Sequence, residues 1–81
     1  MGRLADILRE RHNYEKEIDK EDFLRFLSLH ISEKKIDIIV MYLNGASIEL
    51  IKECKHVAES RIKNYVINAI DRYYNKVLKD N

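Results

Sequence analysis

The fold of this protein is decided by residues 45–66, which read GASIELIKECKHVAESRIKNYV. Gly45 ends a helical segment, because glycine just past the last turn supplies the left-handed conformation that a helix end commonly needs. Ser47 is a good cap for a short following helix of about eight residues. Residues 55–57 then form a turn with one buried anchor, Val57. The pattern predicts two helices joined by a tight turn.

The second helix of this stretch begins near Ala58 and Glu59 with small and polar residues, ahead of its first buried anchor, Ile62. Apolar residues continue at helical spacing to Leu78, which predicts about twenty residues and a length of roughly 30 Å. Such a helix is as long as a small domain is wide, so we expect its distal half to overhang the core unless the N-terminal helix or a second chain covers it. The apolar faces are expected to be Ile48, Ile51 and Cys54 on the first helix, and Ile62, Tyr65, Val66, Ala69, Ile70, Tyr73, Val77 and Leu78 on the second.

The rest of the chain also has the pattern of helices. It has no proline and two glycines, whereas strand-rich domains need frequent turn residues. Helices are expected over residues 3–14, from residue 19 or 20 to His30, and after a cap at Ser32. The sequence therefore predicts a single all-α domain of four to five helices. In it, residues 1–31 form the N-terminal helices and residues 32–81 form a helix-turn-helix unit with a long C-terminal helix.

Composition limits the class of protein. The 81 residues are 46% hydrophobic and 36% charged, which suits amphipathic helices, and a chain this short gains stability from a dimer interface. The net charge is +1, but residues 1–46 carry −1 and residues 47–81 carry +2. One cysteine, Cys54, fits a reducing compartment. No signal peptide and no apolar run of roughly 18 residues is present, so we expect a cytoplasmic protein that does not enter a membrane.

A set of residues at fixed spacing runs through the second half of the chain. Its members are Ser32, Ile38, Ile39, Gly45, Ser47, Ile51, Val57 and the run Ile62-Lys63-Asn64-Tyr65-Val66. In these positions the chain resembles the helix-turn-helix of LuxR/GerE-type transcription regulators, and it is also similar to region 4 of bacterial sigma factors. The likeness covers about 40 residues, half of the chain.

Two positions depart from that family. Lys52 stands where the family has a small alanine, and Lys55 stands where it has a leucine. Both positions normally pack between the two helices. A lysine can lay its stem along apolar surface and keep its amine in water, so the packing angle between the helices is left open.

The resemblance implies a sequence-specific transcription regulator that binds double-stranded DNA as a homodimer, with a recognition helix from near Ala58 in the major groove. Arg and Lys side chains suit guanine and Asn suits adenine, which makes Arg61, Lys63 and Asn64 the best candidates for base contacts, beside Ser60. For each residue the alternative is a solvated helix face. Candidates for contacts to the DNA backbone are Lys34, Lys35, Ser47, Lys52, Asn68 and Arg72.

The distal part of the long helix is the expected dimer contact, together with the N-terminal helix. The expected contact residues are Ile70, Tyr73, Tyr74, Val77 and Leu78. An alternative function uses the same apolar overhang: a protein-interaction module of helix-turn-helix shape that binds RNA polymerase, a sigma factor or another regulator. The modest net charge and the two lysines, Lys52 and Lys55, favour this alternative.

Other chemistry has little support in the sequence. The spacing of Cys54, His56 and the two distant histidines is not that of a zinc site, so no metal or cofactor is expected. No nucleophile stands beside a base and no glycine-rich phosphate loop exists, so the protein is not expected to be an enzyme. The five tyrosines are expected in the core or at a dimer seam rather than as stacking platforms for single-stranded nucleic acid.

Overall fold

The computed structural model describes residues 1–80, and all the regular secondary structure in this part of the chain is helical, which confirms the all-α prediction. The helices are α1 (Gly2–His12), α2 (Lys20–His30), α3 (Glu33–Leu43), α4 (Ile48–Lys55) and α5 (Glu59–Tyr73), and a π-helical turn follows at Tyr74–Leu78.

Local signals set the helix ends. Asn13 takes the left-handed conformation with φ 53° and ends α1 at His12, two residues before the expected boundary. The Asp19 carboxylate accepts hydrogen bonds from the amides of Glu21, at 2.9 Å, and Asp22, at 3.4 Å, and so caps α2. Gly45 has φ 100°, the left-handed region in which glycine carries no steric penalty.

The main core lies where α1, α2 and α3 pack against α5. Helical spacing places large apolar side chains on the inner face of each helix, and removing them from water is the main favourable term in folding. The largest side chains that are almost fully buried in this cluster are Leu8, Phe23, Leu27, Ile39, Leu43, Val66, Ile70 and Tyr73.

The distal half of α5 does not overhang the core, because α1 and α2 cover it. Ile70, Tyr73 and Leu78, expected at a dimer contact, are 0%, 1% and 7% exposed inside the single chain. Tyr74 and Val77 are partly buried against the same core. The expected apolar surface for a second copy is therefore largely interior, and that part of the prediction is corrected.

The π-helical turn explains how Leu78 reaches the core. In a continuous α-helix, Leu78 would lie about 140° around the axis from Tyr73, five residues earlier. In the π turn the Lys79 amide donates instead to the Tyr74 carbonyl oxygen at 2.8 Å, a five-residue step. The wider turn brings Leu78 back over the buried side.

Helix α1 is fastened at both ends. The Arg3 guanidinium donates to the carbonyl oxygens of Tyr42, in the last turn of α3, and Ala46, just beyond that helix, each at 3.0 Å. At the other end, the Asp71 carboxylate of α5 accepts from Arg11 at 2.7 and 3.0 Å and lies 2.7 Å from His12 Nε2. Helix α1 therefore connects the loop before α4 with the distal part of α5.

Candidate nucleic-acid interface

Helices α3, α4 and α5 meet in a small apolar cluster of their own. Its buried members are Ile38 from α3, Ile51 from α4 and Ile62 from α5, each at most 2% exposed. Val57, from the connection between α4 and α5, packs against them but is only partly buried, although a buried turn anchor was predicted. The two helices after Ser47 are thus held against α3, and the start of α5 remains free on its other sides.

The connection between α4 and α5 is a turn of residues 56–58. Helix α4 continues through Lys55, and His56 ends it in the left-handed conformation with φ 54°. The His56 amide donates to the Lys52 carbonyl oxygen at 2.9 Å. Ala58 is extended and precedes α5. The turn is therefore one residue later than expected, because α4 keeps its hydrogen bonding for one more residue.

The buried side of α4 differs from the prediction at Cys54, which is exposed. The inward position beside Ile51 and Ile48 belongs to Lys55, whose side chain is 36% exposed and whose ammonium lies 3.6 Å from an Asp37 carboxylate oxygen. Lys55 follows Ile51 by four residues and lies on the same side of it as Ile48. Cys54 follows Ile51 by three residues and lies about 60° around the helix axis in the other direction. Lys52 is exposed and does not fill the space between the helices.

The first two turns of α5 present the exposed side chains of Ser60, Arg61, Lys63 and Asn64. The unpaired amides and the partial positive charge of a helix N-terminus favour anions there. Lys63 Nζ lies 3.1 Å from a carboxylate oxygen of Glu59, one turn earlier. The Lys63 side of α5 is therefore of mixed charge.

Arg61 and Lys63 lie on opposite flanks of α5, since two residues subtend about 200° on a helix. Lys63 borders a groove of about 240 Å³ that faces α1, where Ile7 lies on the opposite wall. Arg61 borders a groove of about 230 Å³ that faces the start of α3, where it meets Lys34 and Lys35. The two cationic candidates for base contacts therefore do not share one surface.

The groove beside Arg61 continues along α5 as a second cavity of about 380 Å³. The two cavities share Lys35 and Tyr65, and Lys35 Nζ lies 5.0 Å from the centre of the Tyr65 ring. At the distal end, Arg72 Nη1 donates to the His30 carbonyl oxygen at 3.3 Å. We call this channel the α3–α5 groove. Its polar lining residues are Ser32, Lys34, Lys35, Lys55, His56, Arg61, Tyr65, Asn68, Asp71, Arg72 and Asn75.

The α3–α5 groove brings together half of the ten residues that the sequence nominated for DNA contacts: Lys34, Lys35, Arg61, Asn68 and Arg72. Ser47 and Lys52 lie outside it, on the α4 side, and the Ser47 hydroxyl accepts from the Leu50 amide at 3.1 Å. Ser60, Lys63 and Asn64 are exposed on α5 but do not line the groove.

Six polar groove residues were not nominated from the sequence for DNA contacts: Ser32, Lys55, His56, Tyr65, Asp71 and Asn75. Tyr65 was placed on the apolar stripe of α5, and its position at the edge of that stripe was the available signal. Lys55 and His56 carry no such signal, because their approach to α3 depends on how α4 packs.

Among residues 1–80, no three His, Cys, Asp or Glu side chains come together in a way that would hold a metal ion. In the same part of the chain, no helix has the length and apolar character needed to cross a bilayer.

In comparisons with known proteins, the chain matches no family model, no curated protein and no solved structure.

Proposed function

We propose that the protein is a cytoplasmic transcription regulator that binds specific sequences of double-stranded DNA through the start of α5. The observation that carries the proposal is the exposed polar start of α5 beside the cationic α3–α5 groove. An α-helix fits the major groove, and cations beside it attract the phosphate backbone. The resemblance of residues 32–66 to LuxR/GerE-type regulators supports the same function.

The polar start of α5 suits base recognition because it is both exposed and anchored. Ser60, Lys63 and Asn64 are exposed on this part of α5, while Ile62 and Val66 fasten the helix to the body of the protein. A fixed recognition helix keeps its donors and acceptors in register with the base pairs, which sequence discrimination requires.

We further propose that the protein binds as a homodimer, with two α5 helices in successive major grooves. Half-sites would then lie roughly 34–36 Å apart, centre to centre. The dimer contact would not be the interior residues around Ile70. Sedimentation of the protein with and without its DNA site tests this: a complex of two chains on an inverted repeat is expected, and a single chain on a single half-site would contradict it.

The alternative function is a module that binds RNA polymerase, a sigma factor or another regulator. The mixed charge of the Glu59–Lys63 flank favours it. Its expected binding surface, the apolar distal face of α5, is interior, however, whereas the groove beside Arg61 is cationic. DNA is therefore the better-supported ligand. Recovery of a stoichiometric protein partner without DNA would reverse this order.

The decisive experiment is selection of bound duplexes from random DNA, followed by affinity measurements across a range of salt concentrations. We expect one enriched sequence. We expect the double variant R61A/K63A to bind that sequence at least roughly tenfold more weakly than the wild type does. The matched control, K20A/R25A, removes the same two charges from α2 and should bind as the wild type does. If the wild type binds no duplex at micromolar concentration, whatever the salt concentration, the proposal is refuted.

A further inference from the structure

Most cations of the α3–α5 groove lack a carboxylate partner, whereas three of the four arginines outside it have one. Each arginine outside the groove is engaged: Arg3 by backbone carbonyls, Arg9 by Asp6, Arg11 by Asp71 and Arg25 by Asp22. Four groove cations have no carboxylate among residues 1–80 within ion-pair distance: Lys34, Lys35, Arg61 and Arg72. The groove therefore has uncompensated positive charge along its length.

The groove's own carboxylate does little to offset this charge. Asp71 is the only acidic residue among the lining residues within the described chain, and its oxygens are occupied by Arg11 and His12 from α1. Lys55 is partly neutralised by Asp37, which stands outside the groove. The four cations without a carboxylate partner lie on both walls, Lys34 and Lys35 on α3 and the two arginines on α5.

The spacing of these cations suits a linear polyanion. From Arg61 to Arg72 is eleven residues of α5, or roughly 16 Å along the helix axis. A DNA strand carries one negative charge per nucleotide, so successive phosphates of one strand can lie along a groove of that length. A small anion would use one end of such a groove and leave the remaining cations without a partner.

We infer that the α3–α5 groove holds the phosphodiester backbone of one DNA strand, which makes Arg61 a phosphate contact rather than a base contact. The inference rests on the proposed function and divides its interface into two sides. The groove flank of α5 positions the protein on the backbone. The adjoining exposed face of the first two turns, with Ser60 and Asn64 at its centre and Lys63 at its far edge, is left to discriminate between bases.

The experiment compares single variants on two duplexes, the selected site and a scrambled duplex of the same composition. The groove variants are K35Q, R61Q and R72Q, the base-side variant is N64A, and K20Q and R25Q on α2 are the charge-matched controls. Affinity is measured against salt concentration for every pair, and circular dichroism checks that each variant remains helical.

Each groove variant should reduce the magnitude of the slope of log affinity against log salt by about 0.9 and weaken binding to both duplexes by the same factor. N64A should keep the wild-type slope but lose roughly 5- to 150-fold of the preference for the selected site. The controls should leave the slope and the preference unchanged.

Two results overturn the inference while leaving DNA binding intact. One is a wild-type slope for K35Q and R72Q. The other is a loss of preference, rather than a uniform weakening, in R61Q. If the wild type binds neither duplex, the proposed function itself fails, and the inference falls with it.

Discussion

Asp71 is the residue at which α1 and α5 are joined. Hydrogen bonds from the Arg11 guanidinium hold the pKa of the Asp71 carboxyl below its ordinary value of 3.8, and His12 contributes in the same direction while partial burial opposes it. The His12 ring also stacks on Tyr74, with ring centres 4.0 Å apart. One carboxylate therefore connects two helices that lie 60 residues apart in sequence.

Replacing this carboxylate should change how stability depends on pH. Because the pKa of Asp71 is lower in the folded than in the unfolded chain, the charged group stabilises the fold above the unfolded value, and that stabilisation is lost as pH falls through the folded pKa. Asp71→Asn should therefore lower the free energy of unfolding at pH 7, and its difference from the wild type should shrink below about pH 4. Urea unfolding at pH 7 and pH 3 measures this.

The control for this prediction is Asp6→Asn, which removes a carboxylate from an exposed ion pair with Arg9. Exposed pairs contribute little, so this variant should differ from the wild type by less than about 1 kcal/mol at either pH. A pH-independent loss in Asp71→Asn would show that packing rather than charge is responsible for its effect.

A second residue-scale feature is the Tyr73 hydroxyl, which donates to an Asp22 carboxylate oxygen at 2.8 Å. Burial is the largest cause of the raised pKa of Tyr73, and the hydrogen bond to Asp22 adds to it. The phenol therefore stays protonated at neutral pH and remains a donor. It joins α2 to α5 at the edge of the core, where a buried tyrosine ring reaches a polar partner with its hydroxyl.

Helix α4 is the element on which the α4–turn–α5 arrangement depends most. Its eight residues are too few for a stable isolated helix, so its ends and its packing must hold it. The Ser47 hydroxyl supplies the cap at one end, and the left-handed His56 ends the helix at the other. Ile51 supplies the buried contact.

Removing the cap should weaken the whole domain. Ser47→Ala should cost about 1 kcal/mol, because the Leu50 amide loses its acceptor, and should lower Tm by roughly 4–8 °C in a chain of this size. Ser32 occupies the equivalent position before α3 but makes no side-chain capping bond, so Ser32→Ala is the matched control and should cost less. Equal shifts in thermal melts of the two variants would contradict the importance of the Ser47 bond.

At the scale of the whole molecule, a body 38 × 24 × 19 Å is built along α5, with α1 and α2 covering its distal half. Leu27 and Leu29 of α2 show the two environments that this packing creates. Leu27 is 0% exposed, and Leu29 is 72% exposed.

The same substitution at these two positions should give very different results. Leu27→Ala should cost about 2–5 kcal/mol through lost burial and the cavity it leaves. A chain of this size typically has about 4–12 kcal/mol of stability, so this variant should be severely destabilised. Leu29→Ala should stay within about 0.5 kcal/mol of the wild type in denaturant unfolding. A large loss at Leu29 would mean that a second copy covers it in solution.

The sequence by itself determined the helices and their order, because caps, stops and apolar spacing act within a few residues of one another. Asp19, Ser47 and Gly45 mark boundaries that agree with the structure, and the all-α fold follows from them. The apolar face of α5 was also predicted from the sequence, since helical periodicity indicates which side chains face inward.

Only the tertiary structure decided what covers those stripes and which polar residues meet. The distal face of α5 became interior because α1 and α2 fold back over it, and a π turn redirects Leu78. Packing against α3 turned Lys55 inward and Cys54 outward, and it separated Arg61 from Lys63. Such outcomes depend on the direction from which distant segments approach, and local sequence pattern does not encode that direction.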